Sequence, residues 1–252
     1  MENKKKLSLP ENAKIEEEVN AIVMKGLVVP EPFHKLLLNM SRTIGFRFLF
    51  REKKEMTVVT LLMMILFVTA QEQASETTNY YGVIMLLSPI LYGLLSIIPL
   101  LSSYMNHTTE VEMTCTYNLY QLAAFRMIAF SLFCFLLNTV WVFFMAMKLS
   151  SFAFLQGFLI ATTSLFLFSL LFLYALSFFK SLLIKVGVMF GWMGLNLLFL
   201  IFDSIRYQQL LESIPWYLYG GIIVLTFYLY VKKLNNLMQD HKKRGVIDYV
   251  NG

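Results

Sequence analysis

Long apolar runs fill the chain between residues 56 and 231, separated by short polar gaps. A helix needs roughly 20 mainly apolar residues to cross the hydrocarbon of a bilayer. Runs at 81–104, 122–147, 152–179, 181–202 and 215–231 suit that requirement. A sixth run, 56–70, is short by itself; it reaches the length by drawing on the amphipathic stretch before it or by crossing a locally thin bilayer. The pattern predicts an all-α membrane protein with six transmembrane helices.

Upstream the pattern changes. Ile15, Val19, Ile22 and Val23 recur at helical spacing around Glu16, Glu17 and Glu18, which predicts a short surface helix ending near Gly26, before Pro30 and Pro32. Phe33, Leu37, Met40, Ile44 and Phe48 then form an apolar stripe, beside the cations Lys35, Arg42, Arg47, Arg51, Lys53 and Lys54. Such a segment lies in the membrane interface with its apolar face down, so 33–55 is expected to be an interfacial amphipathic helix rather than a plain extension of the first span. Residues 1–32 precede it as an N-terminal extension, and 232–252 form a tail.

Charge adds orientation. Eleven Lys and Arg residues run from Lys4 to Lys54, Arg126 opens the third span, Lys180 sits in the fourth gap with Lys185 one turn past it, and Lys232, Lys233, Lys242, Lys243 and Arg244 follow the last run. Lys148 and Arg206 alone fall on the other side. Cations collect on the cytoplasmic side of membrane proteins, so both termini are expected in the cytoplasm, which requires an even number of spans.

Composition narrows the classes. A hydrophobic fraction of 58% excludes an ordinary soluble domain. The net charge of +5 reads as flanking cations beside anionic lipid, not as a nucleic-acid surface. No secretory signal pattern opens the chain. Cys115 and Cys134 read as structural thiols, and His34, His107 and His241 are scattered. No HExxH, CxxC or GxSxG occurs, so neither a metal site nor a serine hydrolase is expected. The absence of GxxxxGK[ST] leaves no P-loop for ATP.

The polar gaps carry the remaining candidates. The outer connections, 71–80 with Glu72 and Glu76, 148–151, and 203–214 with Asp203, Arg206 and Glu212, are too small for a receptor domain. The largest inner connection is 105–121. There Glu110 and Glu112 precede Met113, Tyr117 and Tyr120, a spacing that predicts a short helix with an acidic first turn, suited to the positive end of its dipole and capped by Thr108 or Thr109. A polar helix tied to two spans is a lever: force on it moves both. Within the spans, Asn138, Gln156, Thr162, Thr163, Ser164 and Asn196 are the polar exceptions. They read as interhelical hydrogen bonds, with Asn138, Gln156 and Asn196 as the alternative lining of a cavity. Gly187 and Gly191 form a GxxxG, with Gly194 following; such glycines allow close helix packing, within one chain or between two.

This order of parts resembles the type-2 permease family of ATP-binding-cassette exporters: an interfacial helix, six spans, cytoplasmic termini and a coupling helix between the second and third spans. Glu110-Val111-Glu112-Met113-Thr114 resembles the acidic start of that family's coupling loop, with Met113-Thr114 where the family has Gly-Thr, and Arg126 stands where its basic residue opens the third span. The resemblance covers about residues 33–231. It implies a permease subunit in a bacterial plasma membrane, paired with a second copy or a homologous permease and driven by an ATPase on a separate chain. ATP and Mg would sit on that partner, and no cofactor on this chain. Glu110, Glu112, Met113, Thr114, Tyr117, Tyr120 and Arg126 would couple the ATPase to spans two and three. The charge-poor spans lean toward an amphiphilic cargo, a peptide, antibiotic or lipid. The competing expectation is a membrane-embedded regulator or scaffold that binds a cytoplasmic partner through residues 1–55.

Overall fold

The long runs are apolar on every face, so helices formed there must cover their sides with protein or hydrocarbon. A computed structural model describes residues 33–44, 53–77, 79–105, 119–149, 152–178 and 181–250. Among them are eight helices and no strand: α1 (Phe33–Ile44), α2 (Lys53–Thr77), α3 (Tyr80–Met105), α4 (Leu119–Lys148), α5 (Phe154–Phe178), α6 (Leu182–Phe202), α7 (Ser204–Ser213) and α8 (Trp216–Val250). Helices α2 to α6 are each long and apolar enough to cross a membrane; α7 and α8, bent by 84° at their junction, make up a sixth unit.

Helices α3 and α5 form the centre. They pack against each other, and α5 also holds α8, α4 and α6, while α2 leans on α3. Ile84, Leu91, Tyr92 and Leu95 from α3 meet Ile160, Leu165, Phe168 and Phe172 from α5 with almost no exposure. Around this centre the outward faces are apolar. On α2, Met56, Met63, Phe67 and Gln71 turn inward, whereas Val58, Leu61, Leu62, Ile65 and Val68 stay exposed. Outward apolar residues also cover α4, α6 and α8. In water a belt of this extent would be a large exposed patch; in hydrocarbon it costs nothing, consistent with a multi-pass membrane protein.

Several boundaries differ from those the hydropathy predicts. Helix α2 runs past Ala70 to Thr77, so most of the stretch expected as an outer loop is helical. Residues 71–77 contain no Gly or Pro, and Gln, Glu and Ala are compatible with a helix. Of the helix expected over 33–55, residues 33–44 are helical, 45–52 lie outside the described part, and 53–55 open α2. The loop expected at 203–214 contains α7, and α8 carries the expected tail on as helix to Val250. Pro215 explains the bend. Ile214 before it is extended, at φ −71° and ψ 119°, as a residue preceding proline tends to be. The Pro215 carbonyl then accepts the Leu218 N–H at 3.0 Å and starts α8.

Candidate functional site

The connections at one end of the bundle are joined by polar side chains. Asp203 ends α6 and caps α7, its Oδ1 accepting the Arg206 N–H at 3.3 Å. Helix α7 turns Gln208 and Leu211 inward. The Tyr81 N–H, in the first turn of α3, donates to Gln208 Oε1 at 3.1 Å, and Gln208 Nε2 donates to Glu212 at 2.9 Å. Tyr207 Oη donates to Asn196 Oδ1 at 2.7 Å, tying α7 to α6. Gln156 Nε2 donates to the carbonyls of Leu211 at 2.9 Å and Ile214 at 3.4 Å, and Tyr219 Oη donates to Leu211 O at 3.0 Å. The last carbonyls of α7, orphaned by its end, are thus taken up by α5 and α8.

The tight turn from α4 to α5 belongs to the same assembly. Ala153 immediately precedes α5, its carbonyl accepting the Gly157 N–H at 3.0 Å, and its own N–H donates to Tyr81 Oη at 3.2 Å. Phe152, just before, folds its ring over Gly157 so closely that a Cβ there would overlap it. The ring thus lies directly on the backbone of the first turn of α5, an approach that only glycine permits. Tyr80 and Tyr81 complete an aromatic cluster with Phe152, ring centroids 4.7–5.4 Å apart.

Midway along the bundle, Pro89 sets a second polar centre. It has no N–H, so the Met85 carbonyl one turn earlier loses its helical donor. Ser164 Oγ of α5 donates to that carbonyl at 2.7 Å. Beside it, Asn138 Nδ2 of α4 donates to Ser88 O at 3.0 Å and Ser88 Oγ at 2.7 Å, and Ser88 Oγ donates to Ala161 O at 2.9 Å. Three helices are therefore joined by neutral groups. A third polar contact pairs Tyr92 Oη with Tyr230 Oη at 3.4 Å, both rings fully enclosed. At the end opposite Lys148, Lys233 of α8 lies 5.1 Å from the Tyr174 ring and 5.0 Å from the Phe178 ring of α5.

A slot of about 520 Å³ opens between α2 and α4. Met64, Val68, Leu137, Val140 and Phe144 make its apolar lining, with Gln71 and Lys148 at one end. Phe67 of α2 stacks on Trp141 of α4 in the wall of the slot, centroids 4.3 Å apart and planes 13° off parallel.

The expected site residues scatter. Glu110, Glu112, Met113, Thr114 and Tyr117 lie outside the described residues, Tyr120 falls in the first turn of α4, and Arg126 is half-buried farther along that helix. Gln156 and Asn196 belong to the hydrogen bonds around α7 and Asn138 to the central network, and none of the three lines the slot; Asn196 also donates to Trp192 O at 2.9 Å. Thr162 and Thr163 bond back to carbonyls within α5. Gly187, Gly191 and Gly194 have open space where a side chain would be, so they pack against nothing among the described residues. The close contacts instead fall at Gly82, against Tyr207, and Gly93, against Phe168 and Met189, as well as Gly157. A serine before a proline in an apolar run, Ser88-Pro89, was the readable signal for the central network; no signal marked Gly93 or the slot. No cluster of three or more His, Cys, Asp or Glu capable of holding a metal occurs among the described residues. No protein-family model, curated protein or solved structure matches the chain.

Proposed function

We propose that this chain is the permease subunit of an ATP-driven exporter, spanning the membrane six times with both termini in the cytoplasm and moving an amphiphilic cargo. One observation carries the reading: the order of parts. An amphipathic helix precedes the apolar helices, and the longest connection on the cation-rich side, 105–121, joins the second and third of them and contains Glu110 and Glu112. Helices α3 and α4, which that connection links, both pack on the central α5. A push on the connection would therefore reach the middle of the bundle. With no P-loop in the chain, the ATPase and its ATP and Mg belong to a separate subunit. The open glycine face of α6 offers a surface for a second permease, since bilayer helices associate through small residues that let backbones approach.

The test is purification from native membranes. A P-loop ATPase should copurify with the full chain, and the double substitution Tyr117→Ala with Tyr120→Ala should abolish that association while the protein still inserts and unfolds like the parent. Large semi-polar rings commonly anchor such interfaces. If ATPase association and cargo-stimulated ATP hydrolysis are both unaffected, docking through 105–121 is wrong. If no ATPase accompanies a functional chain, the exporter reading fails.

A further inference from the structure

We propose that the slot between α2 and α4 seats one acyl chain of a phospholipid whose anionic headgroup rests on Lys148. The dimensions fit one leaflet. Along α4 the lining runs from Leu137 to Lys148, eleven residues and so about 16 Å at 1.5 Å per residue, close to half of a roughly 30 Å hydrocarbon core. Its volume of about 520 Å³ lies within the ordinary range of ligand pockets. The walls are aliphatic and aromatic from mid-helix upward, and polarity appears only at the Lys148 end. That gradient matches a chain below and a headgroup above.

One further feature selects an anionic lipid. Lys148 is exposed and makes no ion pair among the described residues, so its ammonium is available to a phosphate. Glu72, the nearest acidic neighbour in sequence to the rim residue Gln71, is exposed but is not part of the lining. The Trp141 indole N–H is buried and meets no acceptor among the described residues. Trp141 lies seven residues from Lys148 along α4, about 10 Å at 1.5 Å per residue, and so at the depth of an acyl chain rather than of its headgroup. The slot survives because α2 leans on α3 and touches α4 through the Phe67–Trp141 stack. The inference rests on bilayer placement alone and stands with or without an ATPase partner.

Trp141 supplies the readout. With Trp192→Phe and Trp216→Phe it is the sole tryptophan, and at 5% exposure it is shielded from bulk chains. The full-length protein is reconstituted in vesicles doped with phosphatidylglycerol or phosphatidylcholine brominated on the acyl chain. Quenching should reach its midpoint at about fivefold lower mole fraction for phosphatidylglycerol, the factor expected of one Lys–headgroup contact. Lys148→Gln should erase the preference while leaving quenching itself, and Lys148→Arg should keep the preference. Equal midpoints for the two lipids, or a preference that persists in Lys148→Gln, overturns the headgroup assignment. Absence of quenching by either lipid means that something other than lipid fills the slot, and overturns the proposal entirely.

Discussion

Removing the Ser164 hydroxyl tests whether α5 supplies the hydrogen bond that Pro89 denies to α3. In the parent protein Ser164 Oγ donates to Met85 O at 2.7 Å, and Pro89 offers that carbonyl no N–H. Ser164 is fully buried, so Ser164→Ala leaves the carbonyl without a donor in a dry interior. Interhelical hydrogen bonds in bilayers average about 0.6 kcal/mol and reach about 1.7. A stranded buried acceptor carries a cost of about 1–3 kcal/mol. The loss should therefore be near the upper end of the bilayer range, about 1.5 kcal/mol. In a Pro89→Ala background the helix regains its own N–H to Met85 O. There Ser164→Ala should cost only about 0.5 kcal/mol, because a normal helical bond already satisfies the carbonyl. The coupling of about 1 kcal/mol is a double-mutant-cycle quantity, so any change of helix bend in Pro89→Ala alone cancels from it. Reversible unfolding in mixed detergent micelles measures all four proteins. If Ser164→Ala costs the same in both backgrounds to within about 0.3 kcal/mol, the serine does not compensate for the proline and the argument is refuted.

Two other substitutions probe glycines of opposite character. Gly157→Ala puts a methyl into the Phe152 ring, so overpacking should destabilise the protein by about 1–3 kcal/mol; adding Phe152→Leu should recover part of that loss in the same unfolding assay, and no recovery would mean that the strain lies elsewhere. Gly191→Leu meets open space and should change the stability of the single chain by no more than about 0.5 kcal/mol, while reducing the two-permease species seen by native mass spectrometry. Unchanged pairing there would remove the α6 glycine face as the contact between copies.

Hydropathy alone located the central apolar helices, because residues 81–104, 122–147, 152–179 and 181–202 are set by a local property: uninterrupted apolar character over bilayer length. The corresponding helices lie close to those bounds. Pro215 likewise marked the start of the last run, since a proline acts on its own backbone and on its immediate neighbour. Where apolar character fades, that signal stops. The helical continuation of α2 through Thr77 and the short α7 carry no long apolar run, and α7 is held by side-chain bonds from Gln156 and Tyr219 to its carbonyls. The faces of helices were decided only in three dimensions. GxxxG drew attention to Gly187 and Gly191, yet Gly82, Gly93 and Gly157 are the glycines in close contact. In an all-apolar helix no polar stripe tells which side meets a neighbour, so the sequence cannot choose among its glycines. Asn138 was legible as a hydrogen-bonding residue, but its partner Ser88 lies 50 residues away, and the pairing exists because α3, α4 and α5 meet there. The slot beside Trp141 is farther still from the sequence. It is a spacing between two helices, and spacing is a property of how α2 leans on α3, not of any residue in the lining.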